Sequence, residues 1–537
     1  MNVLVPLMIL MPLAGAILLL VLRPHDAKVT KWGALFVSLA TCVVSLMIAG
    51  EFGKLPATAS HLGGTIAPRW EMSHTWMEYA AGHGHAMRLE FLWGMDGISL
   101  VMILLTTLLT SCAILASWHS ITDRLIEYFA CLLILETGML GVFCAFDLLL
   151  FYVFFEFTLL PLFFIVGVWG GSDRKRAAKR FFIYTLCGGL VTLAGLAWLV
   201  AIMVQREGTS SPFSLVEIAK SLESNPLSMP LQIALFCTIS AGFAVKVPLV
   251  PFHTWLPLAH VEAPTAGSVL LAGILLKLGT YGFLRICLPF FPLACVSVGV
   301  PFVGILAIVG IVYGALGALV QQDIKKLVAY SSVSHLGFCM LGLFALNQQG
   351  ITGGILQMIN HGLSTGGLFL VVGMVYERYH TRQMTELGGL ATRLPLLTCC
   401  MVFICLSSIG LPGLNGFVGE FLSLIGMFRL SWIFAAIGTT GVILGAWYLL
   451  TLLQKAFFGP LREPKHDHHH PVADLSMREA FVLAPIMILC LYIGVCPQPL
   501  IATIEPDVTR IVRIYDSPEK NAIASNVALN EKVSVHE

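Results

Sequence analysis

The stretch AVKVPLVPFHTWLPLAHVEAPTAGSVLLAGILLKLGTYG, residues 244–282, decides the fold of this protein. It is largely apolar, yet it places Lys246 and Lys277 inside two apolar runs. A lysine at the centre of a membrane helix costs about 2.5–3.5 kcal/mol on insertion scales, so each amine requires a physical reason. Pro248 and Pro251 follow Lys246, and proline interrupts the helical hydrogen-bond ladder. The stretch therefore predicts a broken membrane helix followed by an intact one.

The composition of the whole chain agrees with a membrane location. Of 537 residues, 57% are hydrophobic and 11% are charged, whereas about a quarter of the residues of soluble proteins are charged. This composition excludes a water-soluble globular enzyme. The chain has 31 Lys and Arg against 30 Asp and Glu, which excludes both a basic nucleic-acid-binding protein and an acidic disordered chain. The 14 cysteines include no C-x-x-C pair, so the sequence predicts neither a metal site nor an iron–sulfur cluster.

The number of long apolar runs along the chain predicts the number of membrane spans. A hydrocarbon core of about 30 Å needs about 20 apolar residues per helix, and about fourteen such runs occur. We therefore predict an all-α polytopic membrane protein with about 14 transmembrane helices. The spans lie near 3–22, 32–50, 97–117, 125–146, 148–170, 181–204, 231–258, 265–288, 297–320, 327–347, 351–376, 394–428, 431–457 and 480–499.

The loops between the spans predict the orientation. Lys and Arg accumulate on the cytoplasmic side of short loops, and here they follow the odd-numbered spans, most clearly in SDRKRAAKR at 172–180. Both termini are therefore expected to face away from the cytoplasm. The polar segments 51–90 and 501–537 contain no catalytic motif that we recognise. The loop KHDHHHP at 465–471 is rich in histidine, but ligands bunched in one loop lack a shaped cavity, so we predict no metal site there.

Ionisable residues stand in the middle of four spans: Glu156, Lys246, Lys277 and Glu420. The deeply placed cations are lysines. Arginine cannot be deprotonated in a protein, whereas a desolvated lysine can lose its proton. This choice of residue favours proton exchange. The alternative, that the charges only pair and hold helices together, stays open at this stage.

Further polar residues extend this series along the chain. His335 and His361 lie in spans between those of Lys277 and Glu420, and imidazoles are suited to passing protons. Glu136 is a weaker candidate. The polar neighbours of the histidines predict a hydrated strip, and they are Ser331, Ser332, Ser334, Asn360, Ser364 and Thr365. Another weak candidate lies in a loop, where Asp323 stands beside Lys325.

Two interrupted spans indicate an internal repeat. Span 7 contains the prolines after Lys246, and span 12 contains GLPGLNG at 410–416, shortly before Glu420. An offset by an odd number of crossings reverses direction in the membrane, which is typical of inverted repeats with broken helices on the transport path. We predict two inverted five-helix repeats, spans 4–8 and spans 9–13. The predicted domains are 1–124 with spans 1–3, 125–288, 289–457, and 458–537 with span 14 and the tail.

The segment 244–282, together with QQDIKKLVAYSSVSHLGF at 321–338 and LPGLNGFVGEF at 411–421, resembles the antiporter-like proton-translocating subunits of respiratory complex I. The resemblance covers nearly all the predicted spans. Glu420 stands where the sister chains L and N usually carry lysine, and the long lateral helix of chain L is absent. These two features set the chain apart from both sisters.

The resemblance implies a role for each ionisable group of the series. Glu156 and Lys246 would form a coupling pair, and Lys277 would be the central amine that holds a proton. His335 and His361 would be the relay imidazoles, and Glu420 would be the terminal carboxyl.

The resemblance also implies partners and a location. NADH, FMN, iron–sulfur clusters and quinone would be bound by partner subunits of NADH:quinone oxidoreductase, and this chain would bind no cofactor. Its neighbours would be other membrane subunits, especially chains L and N on either side, in a bacterial inner membrane with both termini periplasmic. Two alternatives remain: a subunit of a multisubunit cation/proton antiporter or membrane-bound hydrogenase, and a passive membrane scaffold.

Overall fold

The computed structural model describes residues 1–55, 64–80, 86–206, 211–464 and 472–516. Within these ranges, 12 helices are long and apolar enough to cross a membrane. The prediction of an all-α polytopic membrane protein is confirmed.

The helices follow one another with short connections. In chain order the first are α1 (Leu4–Leu22), α2 (Ala27–Phe52), α3 (Gly97–Ser120), α4 (Leu125–Cys144), α5 (Leu148–Trp169), α6 (Arg174–Val204), α7 (Leu215–Ser224), α8 (Met229–Lys246) and α9 (Leu256–Glu262). The others are α10 (Thr265–Phe290), α11 (Pro292–Leu319), α12 (Ile324–Leu343), α13 (Gln348–Tyr379), α14 (Pro395–Ile409), α15 (Asn415–Leu430), α16 (Trp432–Phe457), α17 (Met477–Val495) and α18 (Gln498–Arg513).

A β-hairpin that the sequence pattern did not predict lies in the polar segment before α3. Strand β1 (Trp70–Ala80) pairs antiparallel with β2 (Ala86–Met95), with Trp70 opposite Met95. The alternation of apolar residues in β1 changes phase at a bulge between Thr75 and Met77. This phase change hides the period-two pattern by which a strand is recognised in a sequence.

Each predicted span coincides with helix, but the two broken spans depart from a straight rod as expected. Span 7 ends as α8 at Lys246 and resumes as α9, and span 12 is divided into α14 and α15. Gly410 ends α14 with φ +82°, a backbone conformation that other residues rarely adopt. The exact number of crossings, the inverted repeats and the domain boundaries stay predictions.

The burial of the helices separates an inner group from an outer ring. Every residue in the apolar windows of α10 and α13 is buried, whereas those windows of α1, α2, α6, α16 and α17 are 39% buried or less. The inner helices are therefore shielded from lipid on all sides. Ionisable groups on them must find partners inside the protein.

Candidate functional site

The break after α8 places the amine of Lys246 against α5. The side chain of Lys246 is buried, and its Nζ donates hydrogen bonds to the backbone oxygen of Phe155 at 2.6 Å and to Oγ1 of Thr158 at 3.4 Å. The same nitrogen lies 3.4 Å from the centroid of the Phe155 ring, so a cation–π contact holds it as well. The amine is thus held by neutral groups of α5.

Glu156 is the residue after Phe155, and it is half-buried at the surface of the bundle. Its carboxyl group lies against Gly189 of α6, where an added Cβ would come within 2.7 Å of the carboxyl carbon. Among the described residues, Glu156 forms no ion pair within 4.0 Å, so it does not touch Lys246 directly. The predicted coupling pair consists of neighbouring groups that are not in contact in this structure.

Lys277 is fully buried on α10 and contacts α13. Its Nζ lies 2.6 Å from Nδ1 of His361, and it also donates a hydrogen bond to the backbone oxygen of Ala272 in a π-helical turn. While Lys277 is an ammonium it can only donate, so Nδ1 of His361 then accepts this bond and the ring proton resides on Nε2. That Nε2 is buried and has no partner within the described chain. This N–H is therefore available to donate a proton to the next group of the series.

A small cavity lies beside Lys246. It has a volume of about 10 Å³ and is lined by Lys246, Thr158, Leu275 and Leu276 among others, the last of these preceding Lys277 in the chain. A site of that size is at the lower limit for one water molecule. The space beside the amine of Lys246 is therefore nearly closed to water in this structure.

The two predicted relay histidines lie side by side. The ring centroids of His335 and His361 are 5.6 Å apart. Beyond them, Nδ1 of His335 lies 3.1 Å from Oε1 of Glu420 on α15. The structure thus brings together Lys277, His361, His335 and Glu420 in one buried series that crosses α10, α13, α12 and α15.

The interruption of span 12 sets the position of Glu420. The carboxyl oxygen Oε2 would be 2.8 Å from a Cβ at Gly410, so only glycine leaves room for it there. Asn415 starts α15, and its backbone oxygen accepts a hydrogen bond of 2.7 Å from Nδ2 of Asn360. Because Asn360 precedes His361 in α13, the same contact ties the relay helix to the helix of Glu420.

Several partners of the series were not predicted from the sequence. Nε2 of Gln357 donates to Oε1 of Glu420 at 3.2 Å. The hydroxyl groups of Ser408 and Tyr448 lie 3.3 Å and 3.4 Å from Nε2 of His335. Gln357 stands four residues before His361 and so on the same helix face, which is a signal that could have found it. Tyr448 lies in an apolar run of α16 and has no comparable signal.

Other candidates lie outside this series. Glu136 is fully buried between α2, α3 and α4, where its Oε1 accepts a 3.4 Å hydrogen bond from Ser38 and its Oε2 has no partner in the described residues. Ser331 and Ser334 donate to the backbone oxygens of Val328 and Ile311. They therefore satisfy helix carbonyls, and Ser331 also lies within hydrogen-bond reach of the hydroxyl group of Tyr448, a neighbour of His335.

The remaining polar candidates lie at the start and in the middle of α12 and on the relay helix α13. Nζ of Lys325 donates to the backbone oxygen of Ala263 at 2.5 Å, and Asp323 caps α12 and pairs with Arg382 at 3.5 Å. Three others are buried near the series: Ser332, Ser364 and Thr365, the last with an unpartnered hydroxyl in the described chain.

The histidine-rich loop 465–471 lies outside the described residues. Elsewhere, in the part of the chain that the structure covers, no three His, Cys, Asp or Glu residues are grouped so that they could hold a metal ion.

Comparisons with known proteins place this geometry in a family. The family described as "NADH:quinone oxidoreductase/Mrp antiporter, TM" matches residues 145–445. The chain is 41% identical over 515 residues to NADH-quinone oxidoreductase subunit M of Rhodobacter capsulatus, covering 94% of this chain and 95% of the relative.

Solved structures share the fold. A chain of respiratory complex I from Thermus thermophilus superposes with a TM-score of 0.80 at 29% identity, covering 96% of this chain and 100% of that one. A chain of the Mrp complex from Dietzia superposes with a TM-score of 0.77 at 20% identity, covering 97% of this chain and 99% of that one. At 20% identity, the likeness to the Mrp chain shows a shared fold only.

Proposed function

The chain belongs to the NADH:quinone oxidoreductase/Mrp antiporter family of membrane subunits, and on that premise we propose how its buried series of side chains moves protons. The chain is a multi-pass, proton-translocating membrane subunit of NADH:quinone oxidoreductase, in the branch represented by subunit M. The observation that carries the mechanism is the buried contact between Nζ of Lys277 and Nδ1 of His361.

Lys277 is the proton-holding group of the mechanism. Its amine is fully buried and directly contacts a group that can accept a proton. When Nδ1 of His361 takes a proton from Lys277, the ring can release the proton of Nε2 on its other side. His335 is the next imidazole, and Glu420 lies at the far end, where the proton would leave the series.

Lys246 supplies the force that empties Lys277. Moving one charge against 100 mV requires about 2.3 kcal/mol. Two ammonium groups about 7 Å apart repel each other by about 2.4 kcal/mol at an effective dielectric constant of about 20. A shift of the Lys246 side chain toward Lys277 would therefore match the load. Two features support such a shift: Lys246 lies at the end of α8, and its amine is held by uncharged partners rather than by a carboxylate.

Glu156 controls that shift in our proposal. A carboxylate close to Lys246 holds its charge near α5, and a carboxylate drawn toward a neighbouring subunit leaves Lys246 free to approach Lys277. The half-exposed position of Glu156 at the edge of the bundle supports contact with a partner. We propose that the partners there are chains L and N of the same complex.

The electron-transfer chemistry is assigned to other subunits. We propose that NADH, FMN, the iron–sulfur clusters and quinone are bound there, because the cysteines of this sequence lack the spacing of cluster ligands. We also place the chain in a bacterial inner membrane with both termini periplasmic, since Lys and Arg follow the odd-numbered spans. The two inverted repeats, 125–288 and 289–457, are part of this proposal.

No specific observation favours either of the two alternative functions. The likeness to the Mrp complex supports a shared fold, and it does not favour that assembly over complex I. A passive scaffold would not need a buried amine in contact with an imidazole. The substitution Lys277→Arg distinguishes this alternative from the proposed mechanism.

The test replaces Lys277 by arginine in the assembled complex. Lys277→Arg keeps the positive charge but removes the ability to release a proton, so proton pumping should fall to background. Pumping is measured by the quenching of a pH-sensitive dye in proteoliposomes during NADH oxidation. Lys326→Arg is the matched control, because Lys326 lies exposed in the first turn of α12. A Lys277→Arg complex that assembles and pumps normally would contradict the mechanism.

A further inference from the structure

An open apolar groove lies at the hairpin end of the bundle, apart from the proton-transfer series. It has a volume of about 460 Å³ and is formed by α2, α3, α13, α17 and α18. This volume lies within the range of small-molecule sites, about 300–1,000 Å³. The walls are mainly apolar, with leucine as the commonest residue, and the polar side chains in them are Arg69, Tyr492 and Thr503.

The groove has the depth of one bilayer leaflet. Its mouth lies at Gly53, where α2 ends, and at Leu100, near the start of α3. From Leu100 it follows α3 as far as Leu108, which corresponds to about 12 Å of helix. Half of a hydrocarbon core of about 30 Å is about 15 Å. The mouth therefore lies near the membrane surface, and the end at Leu108 lies near the midplane.

A guanidinium group without a counter-ion stands at the mouth. Arg69 lies 4.9 Å from the centroid of the Phe52 ring, and its Nε has no hydrogen-bond partner. Among the described residues, Arg69 forms no ion pair within 4.0 Å, whereas its neighbour Arg510 donates to the oxygen of Ala67 and pairs with Asp507 at 3.5 Å. Arginine matches the geometry of a phosphate with two parallel hydrogen bonds.

We propose that this groove binds one anionic phospholipid, with its phosphate at Arg69 and one acyl chain along Leu104 and Leu108. A ligand that has an anionic head and a long apolar tail satisfies both the unpaired guanidinium and the leucine walls. The deep end of the groove reaches Ile359 and Leu363. These residues lie on either side of His361 in α13, so the acyl chain fills the space behind the relay helix with hydrocarbon.

The test uses photoreactive lipids with the assembled complex. The complex is reconstituted with phosphatidylglycerol or phosphatidylcholine that carries a diazirine in one acyl chain, and crosslinked peptides are mapped by mass spectrometry. One basic residue near a membrane surface is worth about fivefold in affinity for anionic lipid. We therefore expect phosphatidylglycerol to label the α3 peptide about fivefold more than phosphatidylcholine does. Arg69→Gln should reduce that labelling to the phosphatidylcholine level.

Two variants complete the design. Arg513→Gln, at an exposed site on α18, is the charge-matched control and should leave labelling unchanged. Leu104→Trp fills the groove without altering Arg69 and should abolish labelling by both lipids. Equal labelling by the two lipids, or labelling that is insensitive to Arg69→Gln, overturns the proposal. A groove labelled by a photoreactive quinone, or crosslinked to another subunit and by neither lipid, overturns it as well.

Discussion

The position of the Glu156 carboxyl, rather than its charge alone, should control proton pumping, and Gly189 offers a way to move it. Gly189 lies on α6 directly beside this carboxyl group, and an added Cβ would come within 2.7 Å of the carboxyl carbon. Real Cβ atoms do not approach other atoms so closely, so Gly189→Ala must displace the end of the Glu156 side chain. The substitution changes no charge and no helix end.

The expected size of the effect follows from the strain. A side chain pushed about 30° off its rotamer costs about 0.5–1.5 kcal/mol, which corresponds to about a 2- to 13-fold shift between its positions. We expect Gly189→Ala to lower the protons pumped per NADH by a factor in that range, while NADH oxidation by an artificial acceptor stays normal. The measurement compares dye quenching with NADH consumption in the same proteoliposomes.

The structure offers a matched control for Gly189→Ala and a result that would refute the switching role of Glu156. Gly50→Ala adds the same methyl group to α2, where an added Cβ meets nothing within 4 Å, and it should pump normally. Glu156→Gln marks the full loss of the carboxylate. If Gly189→Ala pumps like the parent complex while Glu156→Gln does not, the position of the carboxyl does not matter and the switching role is refuted.

Three further predictions follow from the buried groups. His361→Gln should abolish pumping because glutamine cannot pass a proton from Lys277, and dye quenching at normal assembly levels would contradict this. Glu136→Gln should leave pumping per NADH unchanged, because Glu136 lies outside the series; a clear loss would add it to the pathway. Burial, together with the nearby carboxylate of Asp96, raises the pKa of Asp507 to about 7. The folded protein then binds this proton more tightly than the unfolded chain, whose value is about 3.9. Stability should therefore fall as the pH rises from about 4 to about 7, and the unfolding temperature should depend on pH less strongly in Asp507→Asn than in the parent chain.

Much of the fold was readable in the sequence, because a bilayer imposes strong rules on composition. The apolar runs predicted the helices, and the prolines after Lys246 and the segment GLPGLNG predicted both breaks. The β-hairpin was missed because its bulge shifts the phase of the apolar residues. The amphipathic helix α18 was missed because a polar tail gives no span-length run.

The candidate site was predictable in its residues and unpredictable in its contacts. Buried charge is costly in a membrane helix, so Lys277 and Glu420 stood out by type alone. Which helices pack together depends on side-chain shape, which periodicity does not encode. For that reason neither the contact of Lys277 with His361 nor the contact of Tyr448 with His335 could be predicted. The same limit left Glu156 and Lys246 as a predicted pair that the structure places close but apart.

The one-sided bonding of His361 imposes a reset on every cycle. A ring that accepts at Nδ1 and releases from Nε2 ends in the opposite tautomer, with its proton now facing Lys277. In that state Nδ1 cannot accept again, whereas Nε2 can. Uptake of a proton at Nε2 with release from Nδ1 to Lys277 would reverse the transfer, so the ring must turn over before a second forward transfer begins. The relay therefore delivers protons singly, and each delivery waits for the ring to return.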